Sequence, residues 1–562
     1  MANAKARLPR IKRLLGLRRG RAAAAKVAFT GLMPSIMYGV NCTGMTDSEL
    51  KHTRALVVKA IEPRPQGKST TGCLMFGGPR EIDPMFGATL APVCALARAL
   101  WEGWLPSAVL RNTFDGFAKH VRSWRDVRGP ISAAALSLRR VGYDVRGFDQ
   151  WIRRGTSEII NITDSSPWYV KQVLRKDVQA WQLRQLANDT HEGITHGAFL
   201  PQVRRWLNVG KASTFECRKW TPLDDKQRGY VRSLLVHGQW LNQRRYEAAP
   251  RLAPAPCCEL HPSSLGTLWH RHLECSDSWP SYELPEELVK FKQFESSVTI
   301  RTLFERLLVP EPSHDWRPPQ DDLLQGLRWL KGDSDPFINT ELFADGCCYE
   351  AGTSLAMAGS GVIELPPGPE GADPGKGSCV KALGAPVPGP IQSIDGAELL
   401  SLYAILRHSL PPITAHFDAD YVVKGLLERG RAETTSYKSA WGEVWRRIWH
   451  ALDDFGDLSS EGLTVLKVKG HATFKDVDEG KISLRRRRGN FEADRVAKFV
   501  TDHFRAPEEA REARKTRSLT LDGAIFWVAQ AGAEAADLRI DFRDKYREVT
   551  SKGPKLLSLI HI

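Results

Sequence analysis

Residues 411–430 read PPITAHFDADYVVKGLLERG. Ile413, Ala415 and Phe417 alternate onto one face, which predicts a β-strand, and YVVKGLLERG predicts a helix opening at Tyr421 and closed by Gly430. The strand ends near Asp418. A carboxylate in that position is costly unless a positive charge meets it.

The same two periods recur on both sides. NTELFADGC predicts a strand ending at Asp345, SLAMAGSGVIEL a second strand through small residues, and SCVKAL a third, with the Pro/Gly-rich insertion 366–377 as a loop between the last two. IDGAELLSLYAILRHSL carries one apolar stripe of Leu399, Leu402, Tyr403, Leu406 and Leu410. The 411–430 strand and helix follow, then a Trp-rich helix (SAWGEVWRRIWHALDDF), the strand LTVLKVKGH and a last helix from GNFEADRVAKFV. The expected fold of residues 338–504 is therefore α/β, a mixed five-stranded sheet with flanking helices.

Four acids fall at matching places in that order. Asp345 and Asp418 are expected at strand ends, Glu398 in the first turn of one helix and Asp494 near the start of another, where free N–H groups favour negative charge. Three of them, and His471, have an ordinary reading as well. Glu398 has the spacing to close a capping box with Asp395, Asp345 precedes Gly346 as in a common turn, Asp494 suits a solvated first turn, and His471 in VKGHAT suits a loop. Together, clustered carboxylates would raise one another's pKa and call for a compensating cation, and hard oxygen ligands select Mg²⁺ or Mn²⁺. Two such ions can activate water on one side of a phosphodiester and stabilise the leaving oxygen on the other, with His471 placed to shuttle a proton.

The remainder of the chain is less explicit. Residues 1–62 predict helices with a basic face, and the first 46 residues contain no acid, which suits either an organellar transit peptide or a nucleic-acid-facing helix. Residues 63–245 predict a mainly helical region with no chemistry to name. Residues 246–337 hold a linker and a group of Cys257, Cys258, His270, His272 and Cys275. Adjacent cysteines ligate one tetrahedral ion awkwardly, so zinc is considered for this group but not favoured. Residues 505–562 form a C-terminal extension.

Composition sets the outer bounds. The 562 residues are 42% hydrophobic with 17 Trp, enough for several cores, and 79 basic against 65 acidic residues give a net charge of +14 that favours polyanionic partners. No apolar run approaches the roughly 20 residues that span a bilayer, so no membrane partner is expected. Ten cysteines in this length suggest a reducing compartment, nucleus or cytoplasm, rather than a disulfide scaffold.

FADG with GSGV, GAELLSLYAIL, FDADYVVKG, VKGHA and GNFEADRVAK, in this order, resemble a type 1 ribonuclease H of the kind carried by retroelement polyproteins. The resemblance covers about 30% of the chain. It implies that Asp345, Glu398, Asp418 and Asp494 hold two Mg²⁺ ions, that His471 is the mobile-loop histidine, and that Asn490 and Gly346 contact nucleic acid. Ala419 departs from the more usual serine of that motif, while Tyr421 is kept. The segment ATFKDVDEGKISLRRRRG between His471 and Asn490 is longer than in compact members, and its Arg485, Arg486, Arg487 and Arg488 are expected on phosphate. The N-terminal stretch from LPRIKRLLGLRR to LVVKAI is similar to the region after the palm in non-long-terminal-repeat reverse transcriptases, but the paired aspartates of a polymerase are absent. The expected activity is hydrolysis of the RNA strand of RNA–DNA hybrids. The opposing expectation is a catalytically inactive nucleic-acid-binding remnant of a retroelement polyprotein. Oligomeric state is not legible in the sequence.

Overall fold

The computed structural model describes residues 2–17, 20–104, 106–156, 158–188, 200–207, 221–248, 255–278, 283–320, 326–332, 336–337 and 340–550. The tail of the C-terminal extension, 551–562, and the expected domain start at 338 lie outside them.

In the N-terminal half, helices dominate, with one antiparallel meander of β1 (Tyr143–Val145), β2 (Gln150–Arg153) and β3 (Ile159–Asn161) among them. The helix Asp47–Ile61 begins at a capping box of Thr46 and Glu49. The helix Pro84–Trp101 is long and apolar enough to cross a membrane, which the sequence reading missed. In this fold, however, 61% of it is buried, and Met85, Phe86, Val93 and Leu96 face the main core.

The second sheet has six strands where five were expected: β4 (Arg328–Lys331), β5 (Glu341–Tyr349), β6 (Met357–Glu364), β7 (Lys381–Pro386), β8 (Ile413–Phe417) and β9 (Leu463–Lys467). Their order is β4-β7-β6-β5-β8-β9. The first four pair antiparallel, and β5, β8 and β9 pair parallel. The extra strand is a four-residue edge in what reads as linker, held through Arg328↔Gly384 and Trp329↔Leu383, with Trp329 against Phe337 at 5.0 Å. Four residues are too few for a period to show.

Alternation along β5 sorts its side chains between two cores. Leu342 and Ala344 join the large cluster under the helices Ile394–His408 and Gly442–Phe455, while Phe343 packs with Ile363, Ala382 and Ala493 under the helix Leu484–Phe504. That last helix lies close on the sheet because a Cβ on Gly361 would stand 2.5 Å from Ala497 N. The large cluster also takes in Val170, Val173 and Val178 of the helix Pro167–Asn188, and Trp168 meets Trp441 at 5.5 Å. Hydrophobic packing thus continues from the helical half into the sheet region.

Candidate active site

Asp345 occupies the fifth position of the nine-residue β5, opposite Gly361, rather than the strand end expected from the sequence. Glu398 approaches over Gly346, where a Cβ would lie 2.9 Å from the Glu398 nitrogen and 3.1 Å from its Cγ. Glycine at this position lets the helix bring its carboxylate to the strand. The Gly346 N–H donates to Asp345 Oδ1 at 2.7 Å and to Glu398 Oε1 at 3.0 Å. Ser393, not Asp395, caps the Ile394–His408 helix, so the capping-box alternative for Glu398 does not form.

Asp418 follows the end of β8 as expected, and the carboxylate oxygens of Asp345, Glu398 and Asp418 come within 4.8 Å of one another. Asp345 and Glu398 are buried, Asp418 half-buried. Among the described residues no lysine or arginine pairs with any of the three carboxylates. Asn490, buried on the Leu484–Phe504 helix, places Nδ2 3.4 Å from Asp418 Oδ2 and leaves its own Oδ1 without a hydrogen bond.

Burial, then the charges of Asp418 and Asp494, push the Asp345 carboxyl up to about 7. Burial, then Asp345 and Asp418, raise Glu398 well above the usual carboxylate range. Glu398 Oε2 is buried without a hydrogen-bond partner. Such a group is destabilising unless something fills the position facing it, and three converging carboxylate oxygens are the donor set of a hard divalent cation.

Asp494 is in the middle of the Leu484–Phe504 helix, which begins five residues before the expected GNFEADRVAKFV start. It is close enough to raise Asp345, but Lys498, one turn on, holds its carboxylate at 2.7 Å. The structure therefore gathers three of the four expected acids and sets the fourth beside them in an ion pair. Asp420 points away from the site, 61% exposed and paired with Lys467 at 2.9 Å and Lys424 at 3.1 Å.

His471 is exposed, in a left-handed backbone conformation at φ 50°, directly after Gly470. The Gly470 backbone abuts Asp418, since a Cβ there would lie 2.6 Å from Asp418 Oδ2. Gly470→Ala should displace that carboxylate and lower any turnover about tenfold, roughly 1.4 kcal/mol of barrier, with the circular dichroism spectrum unchanged. Steady-state rates at saturating substrate check it.

The arginine run is helical rather than a loop, starting one residue after Leu484 with Ser483 as cap. Arg485 is buried and donates to Glu341 Oε2 at 2.6 Å, and Glu341 also meets His416 at 3.0 Å. Arg486 lies 2.9 Å from Glu370, and Arg488 donates to both oxygens of Asp373 at 2.9 Å. Arg487 donates to the Ala472 carbonyl at 3.0 Å and stacks over Phe474 at 3.8 Å, tying the His471 loop to this helix. Each arginine thus has an intramolecular partner, so phosphate would have to displace Glu370 or Asp373 to reach Arg486 or Arg488.

The cysteine and histidine group assembles differently from its sequence reading. Cys258, His261, His270 and Cys275 converge with ligand atoms within 4.8 Å of one another. Two of the expected members are engaged elsewhere. Cys257 stands outside the group, its backbone in a β-bridge with Leu265, and His272 is buried between the Phe304 carbonyl and the Tyr230 hydroxyl, both at 2.7 Å. Burial holds the His272 imidazole down at about 3. His261 was missed, although Cys258-x2-His261 and His270-x4-Cys275 are both visible in the sequence.

No family model matches this chain, and no curated protein matches it. A solved structure described as LC9-RNase H1, a type 1 RNase H with the type 2 active-site motif, is similar at 17% identity with a TM-score of 0.21. The match covers 32% of this chain and 87% of that one. It is a distant resemblance of fold, and the chemistry is read from the side chains described above.

Proposed function

We propose that this chain is a metal-dependent endoribonuclease that hydrolyses the RNA strand of RNA–DNA hybrids. The observation that carries the reading is the convergence of Asp345, Glu398 and Asp418 without a cationic side chain among them, in a chain whose net charge is +14. Asp345, Glu398 and Asp418 would hold Mg²⁺ or Mn²⁺, two ions in all, with Asp494 joining on release from Lys498. When bound, the metal would supply water activation and charge stabilisation at a phosphodiester.

The chain's own groups would do the rest. Asn490 keeps Asp418 in place and has a free Oδ1 for the nucleic-acid backbone. His471 stands in solvent beside Asp418, where it can hand a proton to the departing 3′-oxygen. Gly346 would serve the site by letting Glu398 close on β5. Discrimination of hybrid from duplex DNA would rest on 2′-hydroxyl contacts and duplex shape, which a minor-groove reader senses without reading bases. Arg486 and Arg488 would add phosphate contacts after exchanging their acidic partners, and the basic helices of residues 1–62 would extend the nucleic-acid surface. A retroelement origin is proposed from the N-terminal sequence resemblance alone.

The test uses the full chain, because its core is shared between the helical half and the sheet. Hybrid should be retained on a filter with the protein in EDTA, and should be cut once Mg²⁺ or Mn²⁺ is added. Retention without cutting at any divalent concentration would favour the non-catalytic binding protein instead.

A further inference from the structure

We propose that Cys258, His261, His270 and Cys275 bind one zinc ion, and that this ion is structural. The donor set is two thiolates and two imidazoles, the composition of a closed tetrahedral zinc site with no position open to substrate.

Both histidines are oriented for it. His270 is 5% exposed, its Nδ1 lies 3.5 Å from Glu274 Oε2, and its Nε2 is buried without a hydrogen bond. His261 turns Nδ1 to Cys275 Sγ at 3.2 Å and Nε2 to Asp277 Oδ2 at 3.4 Å. In each ring one nitrogen is left for the cluster and the other faces a carboxylate. That backing fixes the tautomer and raises the basicity of a metal-bound imidazole. Local backbone bonds hold the ligands in pairs: the Cys258 N–H donates to the Ser264 carbonyl at 2.7 Å and the Ser264 N–H to the His261 carbonyl at 3.0 Å, while the Cys275 N–H donates to the His270 carbonyl at 2.7 Å.

The segment has little else to fold it. Residues 255–278 contain no strand pairing beyond the Cys257–Leu265 bridge and no helical run longer than the seven residues 268–274. Yet it joins three elements. His272 contacts Tyr230 of the helix Asp225–Leu235 and the Phe304 carbonyl of the helix Ser297–Arg306, and its own carbonyl accepts from Trp527 Nε1 of the helix Glu508–Thr550 at 2.8 Å. A metal that folds such a short segment contributes its binding free energy to that junction. The inference is independent of the proposed nuclease activity.

The experiment is metal analysis of the purified, extensively dialysed full chain, with cobalt substitution as a second readout. About one zinc per chain is expected, with loss in Cys258→Ser and Cys275→Ser and retention in Cys257→Ser. His261→Cys should keep the ion and change the visible spectrum of the cobalt form toward three thiolates. Stripping zinc should raise hydrogen exchange at 255–278 and around Trp527 while leaving β5 and β8 protected. A folded wild-type chain without zinc after growth in zinc-supplemented medium, or a cobalt form lacking thiolate charge-transfer absorption, would overturn the proposal. So would a Cys275→Ser protein that keeps its zinc.

Discussion

Asp418→Asn is expected to reduce cleavage of the RNA strand by on the order of 10³-fold or more, with the fold and hybrid binding largely intact. Asparagine keeps the shape of the side chain and can still meet Asn490, but it removes the negative charge from one of three converging oxygens. Asp420→Asn, two residues on, makes the useful contrast. Its carboxylate is 61% exposed and serves only Lys467 and Lys424 among the described residues, so turnover should stay within about tenfold of wild type. Rates for both variants at saturating Mg²⁺, with circular dichroism as the check on folding, separate the two acids. A dead but folded Asp420→Asn, or an active Asp418→Asn, would assign the wrong carboxylate to the site.

The second large effect is on stability, and it runs opposite to activity. Asp345 has a folded pKa of about 7, against roughly 3.9 in an unfolded chain. Between those values the folded state holds a proton that the unfolded state releases. Stability therefore falls as pH rises from about 4 to about 7 and stays low above. Asp345→Asn cannot undergo this loss, while its Oδ1 can still accept from the Gly346 N–H. In EDTA at pH 8 the variant should be more stable than wild type by on the order of a few kcal/mol, and at pH 4 the gain should vanish. Mg²⁺ should stabilise wild type and narrow the gap, because a ligand that binds only the folded state raises its stability by mass action. Thermal melts across pH with and without Mg²⁺ check this, and a variant less stable than wild type at pH 8 in EDTA would contradict it.

Two acids of the site, Asp418 and Glu398, are legible in the sequence, for different reasons. Asp418 is visible because an alternating strand stops at it and a helix pattern begins three residues later, a local event that periodicity records. Glu398 was visible as an acid at the edge of an apolar stripe, but the sequence could not tell a cap from a ligand. Ser393 takes the capping role in the structure and leaves Glu398 to the site.

Asp345 and Asp494 were found as residues but misplaced within their elements. FADG reads as a strand end because Asp-Gly favours turns, yet β5 runs on through Cys347 and Cys348 to Tyr349, stabilised by pairing with β6 that no local pattern encodes. Four consecutive arginines point to phosphate partners in the sequence, because like charges set side by side repel unless anions meet them. In the structure, Glu341, Glu370, the Ala472 carbonyl and Asp373 reach them from separate parts of the chain, so the helix extends through the run. Partners 115 or more residues away, as for Arg488 and Asp373, are invisible to a local reading. His261 is the converse case. Its spacing from Cys258 is local, but only the fold brings His270 and Cys275 to that pair.

If Asp345, Glu398 and Asp418 hold ions that cut RNA within a hybrid, the choice of strand and duplex will show it. The measurement that meets it most directly is incubation of the full chain and Mg²⁺ with hybrid, duplex DNA and duplex RNA, each labelled on one strand at a time. Cutting of the RNA strand of the hybrid alone is expected, leaving 5′-phosphate and 3′-hydroxyl ends, and none with Asp418→Asn. Equal cutting of duplex DNA, or hybrid cleavage that survives Asp418→Asn, would contradict it.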